Sequence, residues 1–422
     1  MTIGATTPSL IELATRITDI TKEISDYLET HKIRPPSFAP ELNDPPTSSK
    51  YVALQTSLKA CLEDLTLLVD GPKRSMRALV CQANDLAAFQ VAFDFGFFHI
   101  IPLDGVMSLQ DLANRAGVDL DRTARCVRML ATHRVFHEVK PNMIAHTAAS
   151  AIFCRDEEIF CAGQYMLDEL FKASTATSEC LKLHPNKSDA EHSAFHTRHG
   201  STMFKYYDMN PPHAVRFAKA MTGATKFTDR RTTELRDLFH WGSLKGTVVD
   251  VGGGSGHVSI ELAKVFPHLN FVVQDASLDM LAQGKPLLAD AVQERVTFMQ
   301  HDFFTPQPAR NIAAFFIRQC IHNLCDRDVI RVFKALVPGL EGSDPGTPLL
   351  INDTVMPEPG VWPAHIEREL RQMDMLMMIA LGAKQRTRAE FEELLRVADP
   401  RYQLINCHTQ EQMGLLEVHL QV

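Results

Sequence analysis

The chain has 422 residues, of which 45% are apolar, 22% charged and 8% aromatic, and its formal net charge is -8. That length supports two or three domains around a sizeable core, and the acidic balance argues against a general nucleic-acid or anionic-membrane partner. The nine cysteines are scattered and include no C-x-x-C pair, which fits reduced thiols better than a disulfide framework or a zinc site. The N-terminus lacks a basic stretch followed by an apolar core, and no run of ~18 apolar residues occurs. A cytoplasmic protein without membrane contact is the expectation.

Leu10, Ile11, Leu13, Ile17, Ile20, Ile24 and Leu28 recur at helical spacing over 9–31. The Pro- and Ser-rich stretch 34–49 reads as a linker or extended arm. An amphipathic helix follows at about 52–70 and is ended by Asp70-Gly71-Pro72. Two such helices joined by a linker need something to pack on, and a partner subunit is a reasonable answer, so 1–72 is set apart as a dimerisation arm. A longer helix over 74–98 ends in the cluster Phe89, Phe93, Phe95, Phe97 and Phe98. Ser108 is placed to cap a helix Leu109–Ala116, Gly117-Val118-Asp119 turns the chain, and a second helix runs from Asp121 to about His133. Residues 135–139 and 143–147 can then pair as a hairpin.

That order is helix, turn, helix, wing. Arg122, Arg125 and Arg128 on the second helix could touch DNA, but the acidic chain and the lack of a basic stripe favour a dimerisation and lid module. Helical segments continue to about 223, with a Lys/His/Ser-rich loop at 182–193, and 73–228 forms the second region. From 229 to 422 strands alternate with helices. The strands are expected at 246–251, 270–274, 295–299, 312–317 and 348–353, with helices at 256–265, 277–283, 326–337 and 387–397. Two further apolar runs, Tyr402–Cys407 and Leu415–Leu420, close the chain as a hairpin. Seven strands, five of them parallel, describe a doubly wound α/β sheet with an antiparallel edge.

The first of these strands carries Thr247-Val248-Val249-Asp250-Val251-Gly252-Gly253-Gly254-Ser255-Gly256-His257. A valine-rich strand, a glycine turn and an apolar-periodic helix form a nucleotide-binding unit, in which Gly252 and Gly254 let the backbone approach a ligand. No Gly-Lys-Ser/Thr follows, so the turn is not a P-loop. Asp250, ahead of the glycines, would repel a pyrophosphate but attract an ammonium group. This tilts the site from NAD towards S-adenosyl-L-methionine (SAM), whose methionine end carries an amine and whose sulfonium is positive. An ordinary glycine-rich turn without a ligand is the plain alternative. Ligands in such sheets bind at the carboxyl ends of the strands. Asp275, about 20 residues past the glycines, is placed to accept from both ribose hydroxyls. Asp302 could take the adenine amine, and Phe303 could stack on the ring.

The fourth strand runs into Phe315-Phe316-Ile317-Arg318-Gln319-Cys320-Ile321-His322-Asn323-Leu324-Cys325-Asp326. With this segment, the winged-helix pattern, the glycine turn, Leu349–Asp353 and the methionine-rich run 371–378, nearly the whole chain resembles the SAM-dependent O-methyltransferases of plant and fungal secondary metabolism. The resemblance implies a Rossmann-like SAM methyltransferase sheet behind an N-terminal helical and winged-helix domain, and an intertwined homodimer. It implies SAM as cofactor, with Arg318 joining Asp250, Asp275 and Asp302 at that site, and His322 as general base. His322 would remove the proton of a phenolic or enolic hydroxyl of a fungal-type natural product as the oxygen attacks the SAM methyl, a task suited to imidazole.

Asp353 falls at the first position that orients the imidazole. The second falls on Gln385, where the family commonly has Glu before Arg-Thr. A neutral amide can hydrogen-bond an imidazole but cannot stabilise an imidazolium as a carboxylate would. The usual Trp two residues after the histidine is Leu324 here. Met375 and Met378, with Met377, Phe204, Tyr206, Tyr207 and the Phe89–Phe98 cluster, are expected to line an apolar acceptor pocket, although a methionine stripe at helical spacing is as readily plain core. No metal is expected. Gln385 and Leu324 also leave room for a dehydration or pericyclic cyclisation in which bound SAM keeps its methyl. A SAM- or DNA-binding regulator is the non-enzymatic alternative, and the net acidity argues against it.

Overall fold

A computed structural model of the chain describes residues 8–41, 44–227, 233–410 and 413–421. The chain divides into two compact units. One comprises Met1–Lys172, Phe204–Arg230 and Pro359–Glu369, the other Ala173–Met203, Arg231–Glu358 and Leu370–Val422.

In the first unit the helix Leu10–Thr30 opens with a capping box: the Ser9 hydroxyl accepts from the Glu12 N–H, and the Glu12 carboxylate accepts from the Ser9 N–H. The following helical stretch, Ser49–Asp94, is interrupted at Gly71 (φ 66°, ψ 171°). Pro72 restarts it where a missing N–H costs nothing. The break expected at 70–72 is present, yet both halves belong to the same unit, so the boundary drawn at 72 does not separate compact bodies.

The winged-helix pattern follows as read. Ser108 accepts from the Asp111 N–H at 3.0 Å to cap Leu109–Ala116, Gly117 ends that helix in the left-handed region, and Asp119 caps Leu120–Thr132. The wing has three strands, β1 (Met107–Ser108), β2 (Phe136–Lys140) and β3 (Met143–His146), in the order β1-β3-β2. Two of the three arginines considered for DNA are committed elsewhere. Arg128 binds Glu138 through Nε and Nη2 at 3.0 and 2.9 Å, and Arg125 lies 3.7 Å from Asp121.

The phenylalanine cluster corrects an expectation. Phe97 and Phe98 have no exposed surface, and Phe89, Phe93, Phe98 and Phe153 pack ring on ring with centroids 4.8–6.0 Å apart. Residues 89 and 93 share one helix face, and Phe89, Phe93, Phe97 and Phe98 fill the winged-helix core instead of lining a pocket, while Phe95 is exposed. Beyond it the helix Glu157–Tyr165 passes into a π-helical turn, Met166–Leu170. Asp168, Glu169 and His213 converge there, and Arg216 supplies the positive charge between them, with Nη2 2.6, 2.8 and 2.8 Å from the three. The helix Pro211–Phe227 packs on Glu157–Tyr165 so closely that a Cβ on Gly223 would stand 2.0 Å from the Glu158 carbonyl oxygen.

The second unit holds the main sheet: β4 (Gly246–Val251), β5 (Leu269–Asp275), β6 (Val296–Gln300), β7 (Ala314–Arg318), β8 (Leu349–Met356), β9 (Arg386–Thr387), β10 (Tyr402–Gln410) and β11 (Met413–Leu420). The order is β10-β11-β8-β7-β4-β5-β6, with the short β9 parallel to the end of β8. β4 to β8 run parallel, as expected. The closing antiparallel hairpin is present at the edge, as expected. β11 is antiparallel to β8 and β10 to β11, so the reversed strand lies inside the sheet and the edge strand β10 again runs with the others. All eight residues of β8 are buried, as a strand covered on both faces requires. The methionine run lies on the helix Ala364–Leu381. Among the described residues no helix is long and apolar enough to cross a membrane.

Substituting Gly223→Ala drives a methyl group into the neighbouring backbone. The expected outcome is a loss of about 2 kcal/mol or more, read as a lower urea midpoint at unchanged slope. An unchanged midpoint contradicts the close helix contact.

Candidate active site

After β4 the chain turns through Gly252, Gly253 and Gly254, and Gly252, Gly254 and Gly256 all have φ between 58° and 73°. Sterics reinforce the need for glycine. A Cβ on Gly252 would lie 2.9 Å from Cys320 Sγ and 3.5 Å from the Phe303 ring, and one on Gly253 would meet the Asp250 carboxyl at 2.6 Å. The turn is held by the neighbouring strand: the Gly253 N–H donates to the Gln274 carbonyl at 2.9 Å and the Gly254 N–H to Asp275 Oδ2 at 3.0 Å. Asp275 Oδ1 accepts from the Ser277 N–H at 2.9 Å. The His301 N–H donates to the Asp275 carbonyl at 3.0 Å, which brings the loop carrying Asp302 and Phe303 alongside. Asp250, Gly252, Gly254, Asp275 and Phe303 thus gather at one turn, with Asp302 exposed on the adjoining loop.

Asp250 is 2% exposed and accepts from the Ser259 hydroxyl at 2.6 Å. Burial pushes its carboxyl up to about 6, while Ser259 and Arg318 draw it down and Asp275 pushes it further up. Arg318, at the end of β7, donates to Asn352 Oδ1. A glycine cradle that any Cβ would fill, beside a buried carboxylate in need of positive charge, fits the amine-bearing end of SAM. Neither Ser259 nor Cys320 was singled out from the sequence. The Cys320 thiol donates to the Gly252 carbonyl at 3.4 Å, and burial together with the charges of Asp353, Asp250 and Asp275 raises its pKa. It is a packing group, not a nucleophile.

The second half of the site follows β7. Gln319 takes a left-handed φ of 48°, and its N–H donates to the Asn352 carbonyl on β8 at 2.9 Å. The chain then enters the 3₁₀ turn Ile321–Asn323, which carries His322. Its N–H donates to Asp353 Oδ2 at 3.1 Å, and its Nδ1 lies 2.5 Å from Asp353 Oδ1. Oδ1 also accepts from the Thr354 N–H at 2.9 Å. Asp353 is 1% exposed, while the His322 side chain keeps 15% of its surface. With a carboxylate on Nδ1 the proton of the neutral ring is assigned there, and Nε2 is left as the acceptor.

The turn is fastened by Arg386, a residue that sequence reasoning noted only as a neighbour of Gln385. Its guanidinium is fully buried. Nε and Nη2 reach Asp326 Oδ1 at 3.0 and 2.8 Å, Nη1 donates to the Ile321 carbonyl at 3.1 Å, and Nη2 donates to the Leu324 carbonyl at 2.7 Å. Despite burial, Arg386 and Lys384 hold the Asp326 carboxyl below its ordinary range.

Gln385 makes no hydrogen bond to the imidazole among the described residues. Its backbone N–H donates to Asp374 Oδ1 at 2.8 Å. Its side chain is 4% exposed, and neither Oε1 nor Nε2 has a hydrogen-bond partner among the described residues. Nδ1 of the imidazole is bonded to Asp353. Of the other pocket candidates, Met377 is buried in the core, Met375 is 45% exposed, and Met378 lines a separate cavity of 180 Å³ with Cys180, Leu181 and Ser188. Phe204 belongs to the other unit and is 54% exposed.

Two predictions follow from this geometry. Replacing Arg386→Ala removes the donor to Asp326 Oδ1 and to the Ile321 and Leu324 carbonyls, with Lys384 still on Asp326 Oδ2, and a loss of about 3 kcal/mol is expected, measured by denaturant unfolding; an unchanged stability contradicts the role of Arg386 as fastener. The second concerns pH. Burial raises the Asp250 pKa from 3.8 to about 6 in the folded protein, so burial of the ionised form costs stability above about pH 6, and that cost is relieved as pH falls. A cofactor amine needs the ionised form. Affinity for S-adenosylhomocysteine should therefore be full above pH 7 and fall about tenfold by pH 5. Calorimetry at both pH values checks this, and a flat profile contradicts it.

Comparison with known proteins gives the family of the chain. Residues 182–399 match the O-methyltransferase domain family. Over 99% of this chain and 97% of the relative, the sequence is 57% identical to O-methyltransferase sol2 of Alternaria solani. The structure of OxaC in complex with sinefungin and meleagrin superposes with a TM-score of 0.74 at 20% identity, covering 96% of this chain and 99% of that one. A protein described as a pericyclic reaction enzyme superposes with a TM-score of 0.71 at 20% identity, covering 97% and 100%. At that identity the two structures speak for the fold alone, whereas the family match and the long, close sequence relationship reach further. The chain belongs to the O-methyltransferase family and is a SAM-dependent O-methyltransferase of the fungal secondary-metabolism type.

Proposed function

We propose that this enzyme methylates a phenolic or enolic hydroxyl of a natural product, with His322 as general base and Asp353 as the group that orients it. The observation that carries the reading is the His322–Asp353 pair, two residues beyond Cys320, whose thiol rests on the glycine turn. When bound, SAM supplies a methyl group activated by a positive sulfur. Asp250, Gly252, Gly254, Asp275, Asp302, Phe303 and Arg318 are proposed to hold it.

His322 Nε2 accepts the hydroxyl proton as the oxygen becomes nucleophilic, and Asp353 stabilises the imidazolium that forms. Positioning supplies most of the remaining acceleration, because acceptor and methyl donor are brought together in one site. Met375 is proposed to give the acceptor apolar contact. It neighbours Asp374, which holds the Gln385 backbone. A second reading, dehydration or cyclisation with the methyl retained, draws on the unbonded Gln385 amide as a donor to a carbonyl. The intact base pair favours methyl transfer.

His322→Ala should lower kcat by about 10²- to 10⁴-fold in an assay that follows S-adenosylhomocysteine together with a product heavier by one methyl. An undiminished rate removes His322 as the base. Product of unchanged mass, or lighter by water, with SAM intact supports the second reading.

The protein is further proposed to be a homodimer. Leu67, Leu68, Val69, Met76, Leu79 and Val80 are 43–79% exposed along one stretch of the helical segment Ser49–Asp94, and an apolar run of that length calls for cover. Sedimentation equilibrium should give twice the chain mass, and the double substitution Leu79→Glu, Val80→Glu should give the single mass. A wild-type monomer contradicts the proposal.

A further inference from the structure

Gln274 and Gln307 are each 1% exposed, and their amides bond to each other in both directions. Gln274 Nε2 donates to Gln307 Oε1 at 2.9 Å, and Gln307 Nε2 donates to Gln274 Oε1 at 2.8 Å. A buried amide pair adds little net stability over two apolar side chains, whereas either amide alone is costly to leave unpaired. What the pair connects is more telling. Gln274 is the penultimate residue of β5, and its carbonyl accepts from the Gly253 N–H at 2.9 Å. Gln307 closes the loop that starts at His301 and carries Asp302 and Phe303. Its N–H donates to the Ala335 carbonyl at 2.8 Å, its Oε1 also accepts from the Ala309 N–H at 3.2 Å, and a Cβ on Gly339 would stand 2.7 Å from its Cγ. The loop in turn faces the glycine turn, where a Cβ on Gly252 would lie 3.5 Å from the Phe303 ring. One amide pair therefore joins the strand that holds the glycine turn to the loop that lies against it.

We infer that Gln274 and Gln307 form a clasp that sets the gap between the glycine turn and Phe303, and that the two are positioning residues for the adenosine end of SAM. The inference rests on the cofactor site proposed above and adds to it two residues that act through the turn and the loop. A loop that is already fixed when the ligand arrives loses less freedom on binding. Two amide bonds sheltered from water supply that fixing. The amine end of the site is held differently. Asp250 accepts from Ser259 on the following helix, at 2.6 Å, and the clasp makes no bond to either. Breaking the clasp therefore weakens recognition of the adenosine and leaves the contribution of the amine intact.

The test is calorimetry on the full-length enzyme above pH 7 with two ligands. S-adenosylhomocysteine has both ends, and methylthioadenosine keeps the adenosine but lacks the amino-acid end. Gln274→Met and Gln307→Met should each weaken both ligands by the same factor, about tenfold. The double variant leaves no amide unpaired, so it should lose no more than either single variant, and it covers a single variant that fails to fold. Losses that add in the double variant, a loss confined to S-adenosylhomocysteine, or wild-type enzyme that does not bind methylthioadenosine overturns the inference. So does a lowered urea midpoint with both affinities unchanged, which is what a purely structural pair would give. Asp302→Ala and Phe303→Ala in the same assay separate the clasp from the site. If these alone weaken methylthioadenosine, the clasp is overturned and the site stands. If no variant weakens it, the clasp and the placement of the adenosine end are both overturned.

Discussion

The hydrogen bond from His322 Nδ1 to Asp353 is the interaction on which the rest of the site depends. Asp353 sits in the middle of β8, where every residue is buried, and an ionised carboxylate there must be compensated. The His322 ring and N–H and the Thr354 N–H supply that compensation together. The carboxylate orients the base, and the base and its turn make the carboxylate tolerable. Neither can be moved independently, which is why β7 and β8 lie in register at Arg318 and Asn352 and why Arg386 clamps both sides of the turn.

The cofactor half is organised by the opposite sign of charge. Asp250 and Asp275 stand at the ends of the adjacent strands β4 and β5, Asp353 lies on β8, and the combined field of the three acts on Cys320. Arg318 offsets part of that field. The remainder favours a ligand that is itself positive, as the amine and sulfonium of SAM are. Glycine is required where the turn approaches because Cys320, Phe303 and the Asp250 carboxyl already fill the space a side chain would take. The thiol on Gly252 is also the physical link between the two halves, since it precedes His322 by two residues.

Much of this was legible in the sequence. The five parallel strands, the glycine turn and the capped winged helix rest on local signals: a period of two, a glycine cluster and Ser or Asp just before an apolar repeat. What escaped depends on contacts distant in sequence. The two-residue strands β1 and β9 are too short to carry a period. The order of β10 and β11 is decided by which strand meets β8, and the π-helical turn at Met166–Leu170 has no composition of its own. In the site, His322 and Asp353 were recognisable from their segments, but Arg386 reveals its role only once Asp326 and the carbonyls of Ile321 and Leu324 surround it. Gln385 was read as a substitute for a carboxylate on the imidazole, and the structure leaves its amide unbonded instead. The phenylalanines at 89–98 looked like pocket lining because aromatic composition cannot distinguish a pocket wall from a core.

The central claim is that Asp353 fixes the His322 tautomer so that Nε2 faces the acceptor as a proton acceptor. Nitrogen-15 NMR of the His322 ring tests this without any knowledge of the substrate. In the neutral ring the account predicts a proton on Nδ1, with a far-downfield resonance that Asp353→Asn moves upfield, and an unprotonated Nε2. A neutral ring carrying its proton on Nε2 would contradict it.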